Sequence, residues 1–310
     1  MCYGRTKYGR QRYRCKICNR TFTYRNKFNK LYREQKWFKD WIVEGYSLRQ
    51  INLISGHSIR TLKRITGYWI AKAPPLITLP LKNVKYLVAD GTYLKHENCI
   101  YAATDYLTGL VASHRYGIKE NYCMAHEIFD EIKTRGCKPI AAAIDGNTQV
   151  IRALRNIWPT IIIQRCLYHI LRQGTSWLRR FPKDPAAKEL RQIILTVMTI
   201  PDDTAKDAFI TRLNKWDRVY GAYVRALDSR HKVWGDLQRA RSLLRHALPD
   251  MFHYLDDPNI APTSNMQEGL FSTAKILFRN HRGVSKKNRA SYFNWYFYFK
   301  NKKIINNFGY

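Results

Sequence analysis

Apolar residues change their spacing twice along the chain, and each change marks a boundary between kinds of structure. From residue 33 to 70 they recur at helical spacing. Trp37, Trp41 and Ile42 share a face, and after Gly45 the N-cap residue Ser47 opens a second helix with Leu48, Ile51 and Ile54 inward. Gly56 breaks that helix and Ser58 caps a third, which carries Ile59, Leu62, Ile65 and Trp69. Three prolines between Ala73 and Pro80 end the helical region and predict a linker. Short apolar runs follow at Val84 to Ala89, Cys99 to Thr104, Leu110 to Tyr116, Pro139 to Ile144 and Thr160 to Gln164, and these predict strands. Turn residues at Lys95 to Asn98 and Asp105 to Gly109 join the first three runs into a meander, whereas residues 122 to 135 and 147 to 157 have helical patterns. The expected product is a mixed α/β sheet. From about residue 166 to 255 the strand-like runs give way to an all-helical block rich in Leu, Ile, Trp, Lys and Arg.

Charge narrows the function. The 310 residues carry 54 Lys plus Arg against 23 Asp plus Glu, a net charge of +31, and an imbalance of that size points to a polyanionic partner. With 45% hydrophobic and 14% aromatic residues the chain is a folded protein, not a basic disordered tail. No stretch approaches the roughly 20 apolar residues of a membrane span and the first residues show no apolar leader, so a soluble, cytoplasmic and nucleoid-associated protein is expected. Seven cysteines at scattered positions suit a reducing compartment better than a disulfide framework. The first 36 residues hold twelve Lys or Arg and the single acid Glu34, with Tyr3, Tyr8, Tyr13, Phe22 and Tyr24 interleaved: a head suited to phosphate contacts, or a solvated tail. Arg60, Lys63 and Arg64 near the start of the third helix turn a helical hairpin into a helix-turn-helix candidate for DNA. After Glu268 no acid occurs. Nine Lys or Arg stand there among Phe278, Tyr292, Phe293, Trp295 and further aromatics, which are expected to pack on the sheet.

In a chain so poor in acids, carboxylates at strand ends are informative. Asp90-Gly91 closes one apolar run and Asp145-Gly146 another. At the carboxyl ends of neighbouring strands two such side chains converge on one crevice, where a divalent cation relieves their repulsion; alternatively each Asp-Gly is a tight turn. Hard oxygen ligands favour Mg²⁺ or Mn²⁺. A two-metal phosphoryl-transfer site wants a third ligand, and Glu268 offers one, on a helix capped by Thr263 or Ser264, unless it merely closes a capping box. Asp105 is left out, because Leu107, Thr108 and Gly109 beside it suit a hairpin turn.

The succession Asp90-Gly91, Ile144-Asp145-Gly146, Gln164-Arg165-Cys166-x-x-His169, Thr263-Ser264-Asn265-x-x-Glu268 and His281-Arg282-Gly283 resembles the mutator-type (MULE-like) insertion-sequence transposases over roughly residues 82 to 290. The resemblance implies a ribonuclease H-like mixed sheet with an all-helical insertion before the last acid, preceded here by a small helix-turn-helix domain. It assigns Asp90, Asp145 and Glu268 to the metal-binding DDE triad, with two Mg²⁺ or Mn²⁺ ions, and marks Cys166 and His169 as a signature near the active site. Three residues apart on one helix face, Cys166 and His169 could bind a metal, orient a catalytic carboxylate or pack, and the second use is favoured. Gln11-Arg12-Tyr13-Arg14-Cys15-Lys16-Ile17-Cys18 looks like the second knuckle of a zinc ribbon. A full ribbon needs another Cys-x-x-Cys upstream, where Cys2 stands alone, so a truncated ribbon with doubtful zinc occupancy at Cys15 and Cys18 is expected. The domains expected are a basic head (1–32), a helix-turn-helix (33–72), a linker (73–82), the catalytic core (83–172), a helical insertion (173–260) and the end of the core with the basic aromatic C-terminus (261–310).

The expected function is that of a DNA transposase. It would hold the terminal inverted repeats of an insertion sequence, cut the strand and transfer the freed 3′-hydroxyl to target DNA. Arg282, Lys286 and Lys287 would contact phosphates beside the last acid, and at least a dimer would form in the synaptic complex. The alternatives are a transposase-derived DNA binder or inactive copy without catalysis, and a structure-selective nuclease that cuts without joining.

Overall fold

Short β-branched and alanine-rich segments separated by Gly and Asn turns pair into sheets wherever a helix can cover their faces. The computed structural model describes residues 2–23, 27–94, 98–281 and 283–308. The head aromatic Tyr24, most of the predicted turn from Lys95 to Asn98, and Arg282 lie outside the described residues. The chain divides into two compact units, Met1–Pro74 with Leu277–Trp295, and Pro75–Ile276 with Tyr296–Tyr310.

The first unit opens with three antiparallel strands, β1 (Cys2–Arg5), β2 (Gln11–Arg14) and β3 (Thr21–Phe22), and Tyr13 stacks on Phe22 across β2 and β3. Helices α1 (Lys27–Val43), α2 (Leu48–Ser55) and α3 (Ile59–Ile70) follow. The predicted stops hold here: Ser47 and Gln50 form a capping box, Gly56 takes the left-handed conformation at φ 69°, and Ser58 accepts from the Thr61 N–H. Phe38, Ile42, Ile51, Leu62 and Ile65 make the core, but Ile54, expected inward, is exposed together with Leu53. An eight-residue helix has room for one buried turn, and Ile51 fills it.

The second unit holds a five-stranded mixed sheet in the order β6-β5-β4-β7-β8. Its strands are β4 (Tyr86–Leu94), β5 (Asn98–Asp105), β6 (Val111–Gly117), β7 (Ala141–Ile144) and β8 (Ile162–Arg165). The first three pair antiparallel as the meander predicts, while β7 joins β4 and β8 joins β7 in parallel. Helices α4 (Tyr122–Thr134) and α5 (Thr148–Ile157) supply the crossovers and cover one face with Ile128, Phe129, Ile132, Val150 and Leu154 against Leu87 and Ala89 of β4. The helical block comprises α6 (Leu167–Leu178), α7 (Pro185–Leu195), α8 (Asp203–Ala226), α9 (Lys232–Ala247) and α10 (His253–Asp256), packed around its own core of Leu190, Ile194, Leu213, Trp216 and Leu244.

Two long helices end the chain, α11 (Asn265–Arg279) and α12 (Arg289–Phe308). Buried Gln267 of α11 accepts from the Thr104 hydroxyl at 2.7 Å and donates to the Ala102 carbonyl at 3.3 Å, which fixes the helix start on β5. The C-terminal aromatics are core residues, but not all on the sheet as expected. Tyr292, Phe293 and Trp295 belong to the first unit, where the Trp295 indole packs edge-on against Phe38 and donates to the Trp69 and Lys72 carbonyls. Phe297 serves the second unit against His114 of β6.

Candidate active site

Parallel pairing of β4 with β7 ends at Ala89 opposite Ile144, so Asp90 and Asp145 are the next residue on each strand. This brings the two predicted carboxylates together. One expectation is corrected: Asp90-Gly91 is not a terminal turn, because β4 continues to Leu94 on its antiparallel partner β5, with Asp90 opposite Ala102. Asp90 lies mid-strand, buried, on the same face as Val88. Asp145 does leave the strand, and its Oδ1 accepts from the Asn147 N–H at 3.0 Å in the turn before α5.

Asp90 is held from the side of α6 and α11. Its Oδ1 accepts from the Gly91 N–H at 2.8 Å and its Oδ2 from the Ser264 hydroxyl at 3.0 Å. Thr263 or Ser264 was expected to cap α11, and Ser264 stands at its start. Its hydroxyl is drawn inward instead, because it is fully buried beside a carboxylate that needs a donor. The Ser264 N–H donates to the Cys166 Sγ at 3.2 Å, and His169 Nδ1 lies 3.3 Å from the Ser264 hydroxyl. Its contact with Cys166, and then the Asp90 charge, raise the His169 imidazole to about 9. Cys166 stays below its usual range, held down by His169 and Ser264 against the effect of burial. Cys166 and His169 therefore bear on Asp90 through Ser264. Burial, the largest influence, lifts the Asp90 carboxyl to about 6, with His169 opposing and Asp145 adding to the rise.

A third carboxylate sits here that the motifs did not indicate. Glu120, just ahead of α4, lies across β4 where Gly91 has no side chain: a Cβ at Gly91 would come within 2.4 Å of Glu120 Oε2. The Asn147 amide donates to Glu120 Oε1 at 3.0 Å, and burial followed by the Asp145 charge lifts this carboxyl to about 7. The one hint in the sequence was the glycine itself. Glu268, on the first turn of α11, stands apart. Its side chain is more than a third exposed and faces Arg172 at 3.9 Å. Among the described residues, no three His, Cys, Asp or Glu side chains lie close enough together to share a metal ion.

Residues 111–244, from β6 through α9, match the family described as "Transposase, Mutator family". That stretch resembles a mutator-type transposase domain. No curated protein matches. Among solved structures, 24 chains match. One is the cryo-EM structure of the simian T-cell lymphotropic virus intasome in complex with PP2A regulatory subunit B56 gamma, at 14% identity and a TM-score of 0.23. The match covers 70% of this chain and 66% of that one, so the chain spans just under two thirds of that relative.

The matched stretch contains Glu120, Asp145, Cys166 and His169, while Asp90, Ser264 and Glu268 lie outside its limits. The residues predicted to meet DNA lie in the first unit. Arg60 and Lys63 are exposed on α3, but Arg64 is tied to the buried Glu34 at 2.7 Å. Lys63 lines a groove of about 1210 Å³ with Arg49, Arg279 and His281. Lys286 and Lys287 are exposed beyond α11. Cys15 and Cys18 occupy the turn between β2 and β3, where no third Cys, His, Asp or Glu among the described residues completes a metal site. Among the described residues no helix is long and apolar enough to cross a membrane.

Proposed function

We propose that the chain is a DDE-type DNA transposase that binds the terminal inverted repeats of its element, cuts the strand ends and joins them to target DNA. The observation that carries this reading is the register that puts Asp90 and Asp145 next to each other where the parallel pairing of β4 with β7 ends. A strand order of β6-β5-β4-β7-β8 with two antiparallel and two parallel pairings supports a ribonuclease H-like core, and α1 to α3 support a helix-turn-helix. On this reading the first unit and its basic surface grip the repeats, a dimer or larger assembly joins two ends, and the second unit does the chemistry.

The donor set suits two Mg²⁺ or Mn²⁺ ions. Asp90, Asp145 and Glu120 offer hard carboxylate oxygens; burial first, and then the neighbouring carboxylates, lift Asp90 and Glu120 above the usual range, and a divalent cation would relieve both. Glu268 would complete the triad from α11. When bound, the ions supply Lewis-acid activation of the attacking oxygen and stabilise the leaving one. The protein's own part is positional. Ser264 and the His169 cation hold Asp90 in one rotamer, Asn147 spans Asp145 and Glu120, and Gln267 anchors the helix that carries Glu268. The test is cleavage and joining of labelled duplexes bearing the element's ends, with Mg²⁺, Mn²⁺ or chelator. Metal-dependent cutting and joining that disappears in Asp145→Asn is the expected result, and binding without nicking under every metal condition overturns it. The outward pose of Glu268 favours a second reading, a non-catalytic transposase-derived binder, which would hold DNA equally in chelator and in Mg²⁺.

A further inference from the structure

A pocket of about 570 Å³ opens beside Gly146, between α5 and the helical block, with Arg165 at its inner wall and Arg155, Arg239 and His246 around it. Ile151, Leu243 and Trp177 supply its apolar surface. Three features set it apart from an ordinary surface cleft. Arg165 is buried to 7% exposure, its Nε has no hydrogen-bond partner, and among the described residues it makes no ion pair. The Asp145 and Asp250 charges act on it from a distance, but its buried Nε keeps no hydrogen-bond partner, which is costly and leaves a place for a further anion. Second, the guanidinium presses its Nη2 end against Gly146, where a Cβ would come within 2.0 Å of that nitrogen, so the glycine next to Asp145 is what lets it reach this place. Third, Asp250 is the one acid among the lining residues, and it faces Arg155 at 3.9 Å, while Arg239 turns to Asp236 at 3.2 Å. The pocket remains cationic.

We infer that this pocket binds a phosphodiester of a single DNA strand, gripped by Arg165, immediately beside the Asp145 carboxylate. The inference rests on the transposase reading and adds to it a strand-positioning site. The volume fits about one or two nucleotides and is far too small for a double helix, so the occupant is a strand that has left the duplex. Arg165 offers a planar fork suited to phosphate oxygens, and Arg155 and Arg239 extend the cationic path toward solvent. A phosphate held here is next to the strand that the carboxylates cut.

The test compares two fluorescent probes on the full chain in chelator, by anisotropy over a salt series: a short blunt duplex, and the same duplex with a single-stranded extension of a few nucleotides. The extension should raise affinity about tenfold and steepen the salt dependence by about one released counterion. Arg165→Met should erase that gain and leave blunt-duplex binding within about twofold. Gly146→Ala should do the same by displacing the guanidinium without removing it, and it serves if Arg165→Met fails to fold. Equal binding of both probes by the parent chain, or a gain that survives in both variants, overturns the pocket assignment while leaving the transposase reading intact. If neither duplex binds, the transposase reading falls and takes the pocket with it. Loss of the extension's gain to inorganic phosphate, at concentrations that leave blunt-duplex binding unchanged, would mark a free-phosphate site and overturn the strand assignment.

Discussion

The Asp90 corner and the Glu268 corner of the proposed site are built on opposite principles. Asp90 is buried mid-strand, with hydrogen bonds to both oxygens and a cationic imidazole behind the serine that holds it. Glu268 sits on a helix start, partly in solvent, with a distant arginine as its partner. A carboxylate fixed by neighbours is ready to bind before substrate arrives, and one on an exposed turn must be recruited. The first corner should therefore carry large mutational effects on rate, and the second should respond mainly to what approaches it.

Removing the fixed carboxylate is the sharpest way to break that contrast. Asp90→Asn should lower strand cleavage by at least about a thousandfold with duplex affinity in chelator unchanged, read from single-turnover cleavage beside anisotropy. Next, Ser264→Ala takes away the donor that locks Asp90 and should cost about 10- to 100-fold in cleavage, in the range of other orienting partners of metal ligands. If it costs less than about threefold, the two corners are equally loose and the contrast fails.

The acidity of the same corner gives a smaller effect, in stability. Asp90 at about 6 and Glu120 at about 7 are raised above their unfolded values. Their contribution to stability is therefore complete below the unfolded carboxylate range and is lost as pH rises through about 6 to 7. His169, raised to about 9, contributes fully below its unfolded value of 6.5 and loses that contribution as pH rises through about 9. Thermal melting in chelator should show stability falling from weakly acid to alkaline pH, and Glu120→Gln should flatten the lower part of that fall, with a gain of about 2–4 °C at pH 8. A flat profile in the parent chain would remove the electrostatic basis of the contrast. Smallest of all, Arg172→Ala at the Glu268 corner should change stability by less than about 0.5 kcal/mol by denaturant titration, because an exposed pair at 3.9 Å contributes little.

What was legible in the sequence follows the range of the interactions involved. The five strands, the crossover helices and the caps at Ser47 and Ser58 depend on spacing within a few residues, and all appear where the apolar runs and turn residues place them. The pairing of Asp90 with Asp145 was legible because both follow apolar runs that could be parallel neighbours. The continuation of β4 past Gly91 was not, since it depends on β5 offering a longer ladder than β7. Nor was the turn of Ser264 toward Asp90, 174 residues away in sequence, where a capping role was the local choice. Glu120 escaped notice because it reaches the site across an absent side chain, and local patterns do not show what fills a glycine's space. Ile54 shows the converse: its helical spacing was right and its helix was too short to bury it.

The strand that brings Asp145 to the site is built from Ala141, Ala142 and Ala143, all buried, with neighbours on both faces of the sheet. A run of methyl groups leaves no slack: any larger side chain must push a covering element outward or slide the strand along its neighbour. Sliding by one residue would carry Asp145 to the opposite face and away from Asp90. On the proposed reading, then, drift in the middle of that strand would produce variants that keep the fold but lose the pairing of Asp90 with Asp145, and lost chemistry would be written in alanine positions before it reached the acids.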